Sequence, residues 1–487
     1  MRKGYLVSVL LLAALLTACV ACAGENAEKM PVTTSSKEAL KAFEQGRFLF
    51  EKLRAQESLR YFEEAIEKDP DFALASIYCS LAQPTARGFF ARVDQAVAAK
   101  EKVSEGERLY IEGFKAGVDG FPTKQQELYG ELVAKYPNDE RAHTFLGNSL
   151  FGTQNYEKAL EHYVKATTIN PEFSQPYNQM GYAYRFLEQY EEAEKAFKKY
   201  VQLIPDDPNP YDSYGELLMK IGRYDESIAQ YKKALEVNPN FVASHIGIAT
   251  DLNFKGEHAK AREQLKKLYG MARNEGEKRA ALFAMAVSYV DEGNPEEGIA
   301  MVKKQFAIAE GADDPANMAG DLIATGNILM EEGKAEKAME NFEKAWMTVK
   351  TSDLSDRTKE NAEQGFRFNS CRFALMQGDL EKAKKLNLKY LKVAEEKKNT
   401  FQIWAAHQLK GMIALQEKDY KTAVDALGKA NLQNPYNLYR LALAYAGDGN
   451  NAAAREYCEK AAGHNTLNSM QYAFMRHKAE EMLATLE

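Results

Sequence analysis

The hydrophobic and polar positions along this chain repeat with a helical period that breaks and restarts at regular intervals. The pattern is clearest from Glu140 to Phe241, where one unit is written three times at a spacing of 34 residues. Small residues stand at its eighth position (Gly147, Gly181, Gly215) and its twentieth (Ala159, Ala193, Ser227). An aromatic fills the twenty-fourth (Tyr163, Phe197, Tyr231), and proline closes each unit at the thirty-second (Pro171, Pro205, Pro239). This arrangement predicts a helix, a short turn, a second helix and a stop. The small residues let two antiparallel helices approach, the aromatic fills the space beside them, and proline removes a backbone donor and ends the second helix. One such pair cannot bury its apolar face alone, so the copies must stack into a solenoid.

Looser copies flank the central ones. A unit from Ala39 keeps Gly46, Phe62, Ala65 and Pro70 in frame. One from Ala73 is degenerate, with Pro84 in its turn and Ala96 and Ala99 retained. A third, from Gly106, keeps Gly113, Tyr129 and Pro137. After Phe241, units starting at Val242, Arg279, Ala319, Gln364 and Trp404 are spaced 37, 40, 45 and 40 residues apart, and the extra residues are helix formers that lengthen helices. A last pair begins near Pro435, and Asn468 to Leu486 reads as one amphipathic helix able to cap the array.

These positions, with Ala166, Tyr200 and Ala234 at the twenty-seventh as the fifth, closely resemble the tetratricopeptide repeat, except at Tyr200, which is large where that family usually has alanine. The resemblance implies an all-α fold: a right-handed α-solenoid of about eleven to twelve helix pairs with a C-terminal capping helix. The spacing divides it into an N-terminal array over 37–272, clearest over 140–241, and a C-terminal array with longer helices over 273–487.

The first residues carry a different pattern. Met1-Arg2-Lys3 is basic, Leu6 to Leu16 is apolar or small, and Thr17-Ala18-Cys19 follows. The run is too short for a stable membrane span, which needs roughly 20 apolar residues, and reads as a secretory signal over 1–18. Leu16-Thr17-Ala18-Cys19 resembles a bacterial lipobox, which implies lipidation of Cys19; the alternative is a soluble secreted protein cut after Ala21-Cys22-Ala23. Residues 19–36 lack helical periodicity and read as a tether. By resemblance to enteric lipoprotein sorting, Val20 in place of aspartate implies the outer membrane, facing the periplasm.

Charge narrows the partners. The chain holds 63 basic and 70 acidic residues, a balance of −7 that falls to −9 if Arg2 and Lys3 leave with the signal. An acidic surface argues against nucleic acid. The five cysteines are sparse, and Cys371 occupies the small eighth position of its unit, where a thiol serves as a small hydrophobe. No phosphate-binding glycine loop, paired-histidine zinc motif or Gly-x-Ser-x-Gly elbow occurs, so neither a catalytic residue nor a cofactor or metal site is assigned. His143 and His162 fall on the two helices of one unit and could be neighbours, read as packing or surface residues.

The remaining function is a scaffold for protein or peptide partners in the cell envelope. The alternative is an enzyme or small-ligand sensor with a pocket in the C-terminal array, which no motif supports. The resemblance implies that unit positions two, five, nine and twelve line a concave groove. In the central units these give Thr144, Asn148, Asn178, Tyr182, Arg185, Asp212 and Glu216. Thr144, Asn178 and Asp212 at the fifth positions do not fit the lysine and arginine clamp by which some members hold a terminal carboxylate. In the second half the inward positions are apolar: Phe283, Val287, Val290, Ile323, Met330, Phe368, Leu375, Met412 and Leu415. They form either an adaptable binding stripe or a surface buried by closure of the superhelix.

Overall fold

The computed structural model describes residues 29–52 and 54–486. The signal segment, Cys19 and Cys22 lie outside the described residues. Among the described residues there are 25 α-helices and one 3₁₀ turn, Lys100–Lys102. Twenty-four of the helices form twelve consecutive antiparallel pairs, and Met470–Thr485 follows alone. The central pairs, such as Ser174–Phe186 with Tyr190–Leu203, use helices of 13 and 14 residues. Later helices lengthen to 17 in Glu275–Asp291 and 21 in Asp356–Met376, as the stretched spacing predicts.

The repeat signature does the packing expected of it. Gly147, Gly181 and Gly215 face Tyr163, Phe197 and Tyr231, and an added Cβ would stand 2.6 to 2.9 Å from the nearest ring carbon. The same pairing recurs at Gly46 on Phe62 and Gly326 on Phe342, while Leu427 replaces the ring opposite Gly411. Tyr200, the large departure at position twenty-seven, is 1% exposed and donates its hydroxyl to Asn209 Oδ1 at 2.9 Å. It therefore fills the seam between its unit and the next. The turn inside most pairs holds one residue in the left-handed region. Gly222 and Gly256 supply it at φ of 79° and 75°, whereas Gln154 and Glu188 hold it at 62° and 59° against their own side chains.

Helix starts are capped locally. Ser104 and Glu107 form a reciprocal capping box, and Asp139, Asn274, Asp314, Ser355 and Asn399 each accept a backbone N–H from the first turn they precede. Three of the capping or loop carboxylates have a second task. Asp139 accepts from Met30 N at 2.8 Å, Glu107 from Thr33 N at 2.8 Å, and Asp69 from Thr34 Oγ1 at 2.6 Å. Residues 29–36, read in the sequence as the end of a tether, are instead strapped along the first units. Their polar run lacks helical periodicity because its donors are satisfied by carboxylates far along the chain.

The solenoid winds far enough to meet itself. Arg87 in the second unit pairs with Asp313 and Asp353 in the loops on either side of the ninth, and Phe90 packs against the apolar cluster of Ala319, Val349 and Leu354. Arg357 in the tenth donates to the Asp119 carbonyl of the third at 2.7 Å, and Gln154 in the fourth donates to Asn431 at 2.6 Å. The core also runs without interruption across residues 272–273, since Leu265 and Leu268 share a cluster with Ala281, Leu282 and Met285.

The last helix does more than cover the last pair. Met475 and Ala479 pack on Cys458 and Ala461, while Phe474 joins the core of Glu275–Asp291. Tyr472 meets Met219 and Phe254. Arg476 donates to the Phe254 carbonyl at 3.2 Å, and Asn465 just before the helix donates to that of Met219 at 3.1 Å. It thus bridges the end of the array to its middle.

Candidate partner-binding surface

The central groove residues are largely engaged with one another. Tyr182 donates to Ser213 Oγ at 3.3 Å, Arg185 to Glu216 Oε2 at 3.3 Å, and Ser244 to Asp212 Oδ1 at 2.6 Å. Each bond joins one unit to the next, so the three together form a polar ladder along the concave side. Thr144 is buried and bonds back to the Glu140 carbonyl at 2.7 Å. Asn148 accepts from Tyr163 at 2.9 Å. Asn178 is buried with its Oδ1 unpartnered among the described residues. Burial, reinforced by the Glu216 charge, holds the Asp212 carboxyl well above the ordinary carboxylate range.

A larger site lies on the same face nearer the N-terminus. The first helices of the first four units enclose a cavity of about 600 Å³ walled by Phe50, Tyr78, Tyr110, Phe114 and Phe145, with Phe89 and Tyr129 behind them. Phe401, from helix Thr400–Glu417 a superhelical turn away, closes it and is 48% exposed. Tyr110 stacks on Phe145 with ring centroids 4.2 Å apart. The neutral polar groups are Asn148, Gln125, Thr153, Gln175 and Ser149, whose hydroxyl donates to Gln125 Oε1 at 2.8 Å. Glu51 sits at the edge, held by Arg141 in a bidentate pair at 2.7 and 3.1 Å. Burial pushes the Tyr78 hydroxyl up to about 12. Such a cavity favours a large apolar group and offers a small number of orienting polar contacts.

Three of the five wall aromatics obey the inward-position rule. Phe50 is the twelfth residue of the unit from Ala39, and Tyr110 and Phe114 are the fifth and ninth of the unit from Gly106. The repeat is weaker in these first units than in the central ones. Phe401 has no such signal, because its position follows from closure of the superhelix.

In the second half, Val287, Met330 and Leu375 are buried, Phe283, Val290, Phe368, Met412 and Leu415 are half-buried, and Ile323 is 38% exposed. His143 and His162 are neighbours with Nδ1 atoms 3.1 Å apart, and burial lowers both. His143 Nε2 lies 3.1 Å from the Pro137 carbonyl and must donate to it, so His143 Nδ1 accepts from His162. Cys371 is fully buried and donates to the Ala383 carbonyl at 3.3 Å, and burial pushes its thiol up to about 12. No group of three or more metal-ligating side chains occurs among the described residues.

Two family models match parts of the chain. Residues 147–185 and 215–249 match a family model described as TPR repeat, and residues 174–207 and 435–463 match one described as tetratricopeptide repeat. No curated protein matches the chain. A tetratricopeptide repeat protein from Parabacteroides merdae is 18% identical, with a TM-score of 0.37, covering 53% of this chain and 96% of its own. MamA from Desulfovibrio magneticus is 19% identical, with a TM-score of 0.30, over 35% of this chain and 97% of its own. YrrB, described as a TPR protein with an unusual peptide-binding site, is 20% identical, with a TM-score of 0.26, over 37% of this chain and 91% of its own.

Proposed function

Since the chain is a tetratricopeptide-repeat protein, we propose that it is an exported, membrane-tethered scaffold that grips a polypeptide partner on its concave face. The observation that carries the reading is the aromatic cavity of about 600 Å³ beneath Phe401. A bulky side chain of the partner enters it, and the polar ladder from Tyr182 to Ser244 orients the backbone that follows. Buried aromatic anchors of this kind dominate the energy of protein interfaces.

The test is capture on an array of random peptides. The full chain should select sequences with an aromatic or large aliphatic residue, and Phe401→Ala and Phe114→Ser should lose that selection while keeping helical content. Equal selection by both variants would remove the cavity from the function.

Location rests on the lipobox-like string ending in Cys19. Several acyl chains on one residue hold a protein at a bilayer far better than one, at about 0.8 kcal/mol per buried methylene. Cys19→Ser should move the protein from the membrane pellet to the soluble or unprocessed fraction. A mature chain beginning at Gly24 by mass spectrometry would instead establish the secreted form.

A further inference from the structure

The first helices of the last four units meet at a second cavity of about 290 Å³, whose walls include Met330, Leu375 and Met412. Two arginines face it from different helices, Arg372 in Asp356–Met376 and Arg440 in Pro435–Gly447. Arg440 is only 9% exposed, and Arg372 is half-buried. Neither makes an ion pair among the described residues. Arg372 Nη1 donates to Asn327 Oδ1 at 2.8 Å and Asn369 Oδ1 at 2.9 Å, and Arg440 Nη1 donates to Asn437 Oδ1 at 3.0 Å. The Arg440 guanidinium also lies 4.0 Å over the Tyr436 ring.

The one carboxylate in the wall, Glu331, is already engaged. It accepts from Lys478 Nζ at 2.6 Å and from the Tyr436 hydroxyl at 2.9 Å. Three cations therefore surround one anion, and the two arginines are paired directly only with neutral amides and with the rings of Tyr436, Phe342 and Phe368. Burying a guanidinium without a directly paired charge is unfavourable, so a fold that holds two of them around an open space beside a single carboxylate is short of an anion. Burial and the neighbouring Arg372 charge accordingly lower Arg440 to about 10.

We propose that this cavity is a receptor for a small carboxylic acid with an apolar stem, its carboxylate bridging Arg372 and Arg440 and its stem lying on Met330, Leu375 and Met412. The planar guanidinium edges match the two oxygens of a carboxylate. A phosphate dianion fits less well, because Glu331 in the wall repels a second negative charge. The volume stands at the small end of ligand cavities, which suits a free acid rather than a strand or helix of a partner. This site is separate from the aromatic cavity, and its occupancy does not depend on the scaffold reading.

Calorimetric titration of the full chain tests the assignment, with hexanoate, its methyl ester, hexyl phosphate and a capped tripeptide with a central glutamate as probes. Hexanoate should bind, the ester should not, and Arg440→Gln should weaken hexanoate roughly tenfold or more, the size of a lost charge-assisted hydrogen bond. Absence of hexanoate binding, unchanged binding in Arg440→Gln, or tighter binding of the phosphate or the peptide than of hexanoate would each overturn it. A second measurement guards against misfolding. Arg440→Met should melt at or above the wild-type temperature in the absence of acid, because it removes an unpaired buried charge, whereas a clearly lower melting temperature would make the arginine structural and overturn the proposal.

Discussion

Gly181 offers the sharpest test of the packing that builds the array. Alanine there would place a Cβ 2.6 Å from Phe197 Cε1 and Cζ and 2.8 Å from Cδ1. Carbon atoms in contact prefer about 3.5 to 4.0 Å, so the helix pair would have to open by about 1 Å. The ring has nowhere to go: Phe197 is fully buried, edge-on to Tyr182 at 5.2 Å, and packed with Ala193 and Leu217. Overpacking of this kind costs about 1 to 3 kcal/mol, while replacing glycine within a helix returns up to about 1 kcal/mol. The net expectation is a loss of roughly 1 to 2 kcal/mol.

Gly130 is the matched control. It also lies inside a helix, Pro122–Lys135, but an added Cβ would meet nothing within 4 Å. Gly130→Ala should therefore stabilise by about 0.5 to 1 kcal/mol. Because long repeat arrays do not always unfold in one step, amide exchange is the better assay, read over Ser174–Phe186 and Tyr190–Leu203. Exchange there should quicken in Gly181→Ala and not in Gly130→Ala. Equal or slower exchange in Gly181→Ala would refute the account of the glycine and ring pair.

Other outcomes follow from single features. Asp251 is fully buried with neither carboxylate oxygen hydrogen-bonded among the described residues, and burial raises it to about 8. A raised carboxyl favours folding below the unfolded value of about 4 and loses that advantage as pH climbs through the folded value. Asp251→Asn should therefore raise the melting temperature at pH 9 by more than at pH 5, and an equal change at both would refute it. Glu188 holds a left-handed φ of 59°, so Glu188→Gly should stabilise by up to about 1 kcal/mol in denaturant titration. Phe368 is half-buried against Tyr390, so Phe368→Ala should fall short of the roughly 3 to 5 kcal/mol lost from a fully buried ring. Asn178→Ala with Tyr182→Ala should keep the helical circular dichroism signal and weaken peptide capture, and undiminished capture would exclude the central ladder from binding.

The sequence by itself determined the unit. Glycine at position eight opposite an aromatic at twenty-four is a contact within one helix pair, about sixteen residues apart, and local spacing is enough to specify it. The same local logic predicted twelve pairs to within one and the lengthened helices beyond residue 275. The inward rule, carried to the weaker first units, also places Phe50, Tyr110 and Phe114 on the concave face. Contacts between turns of the superhelix were decided only in three dimensions. Arg357 on Asp119, Gln154 on Asn431 and Tyr472 on Phe254 join residues more than 200 positions apart. Their meeting depends on small rotations between successive units, accumulated over the whole array, and no periodicity records that sum. Hence Phe401 closes the aromatic cavity, Arg372 and Arg440 share another, and the last helix bridges the array instead of merely ending it.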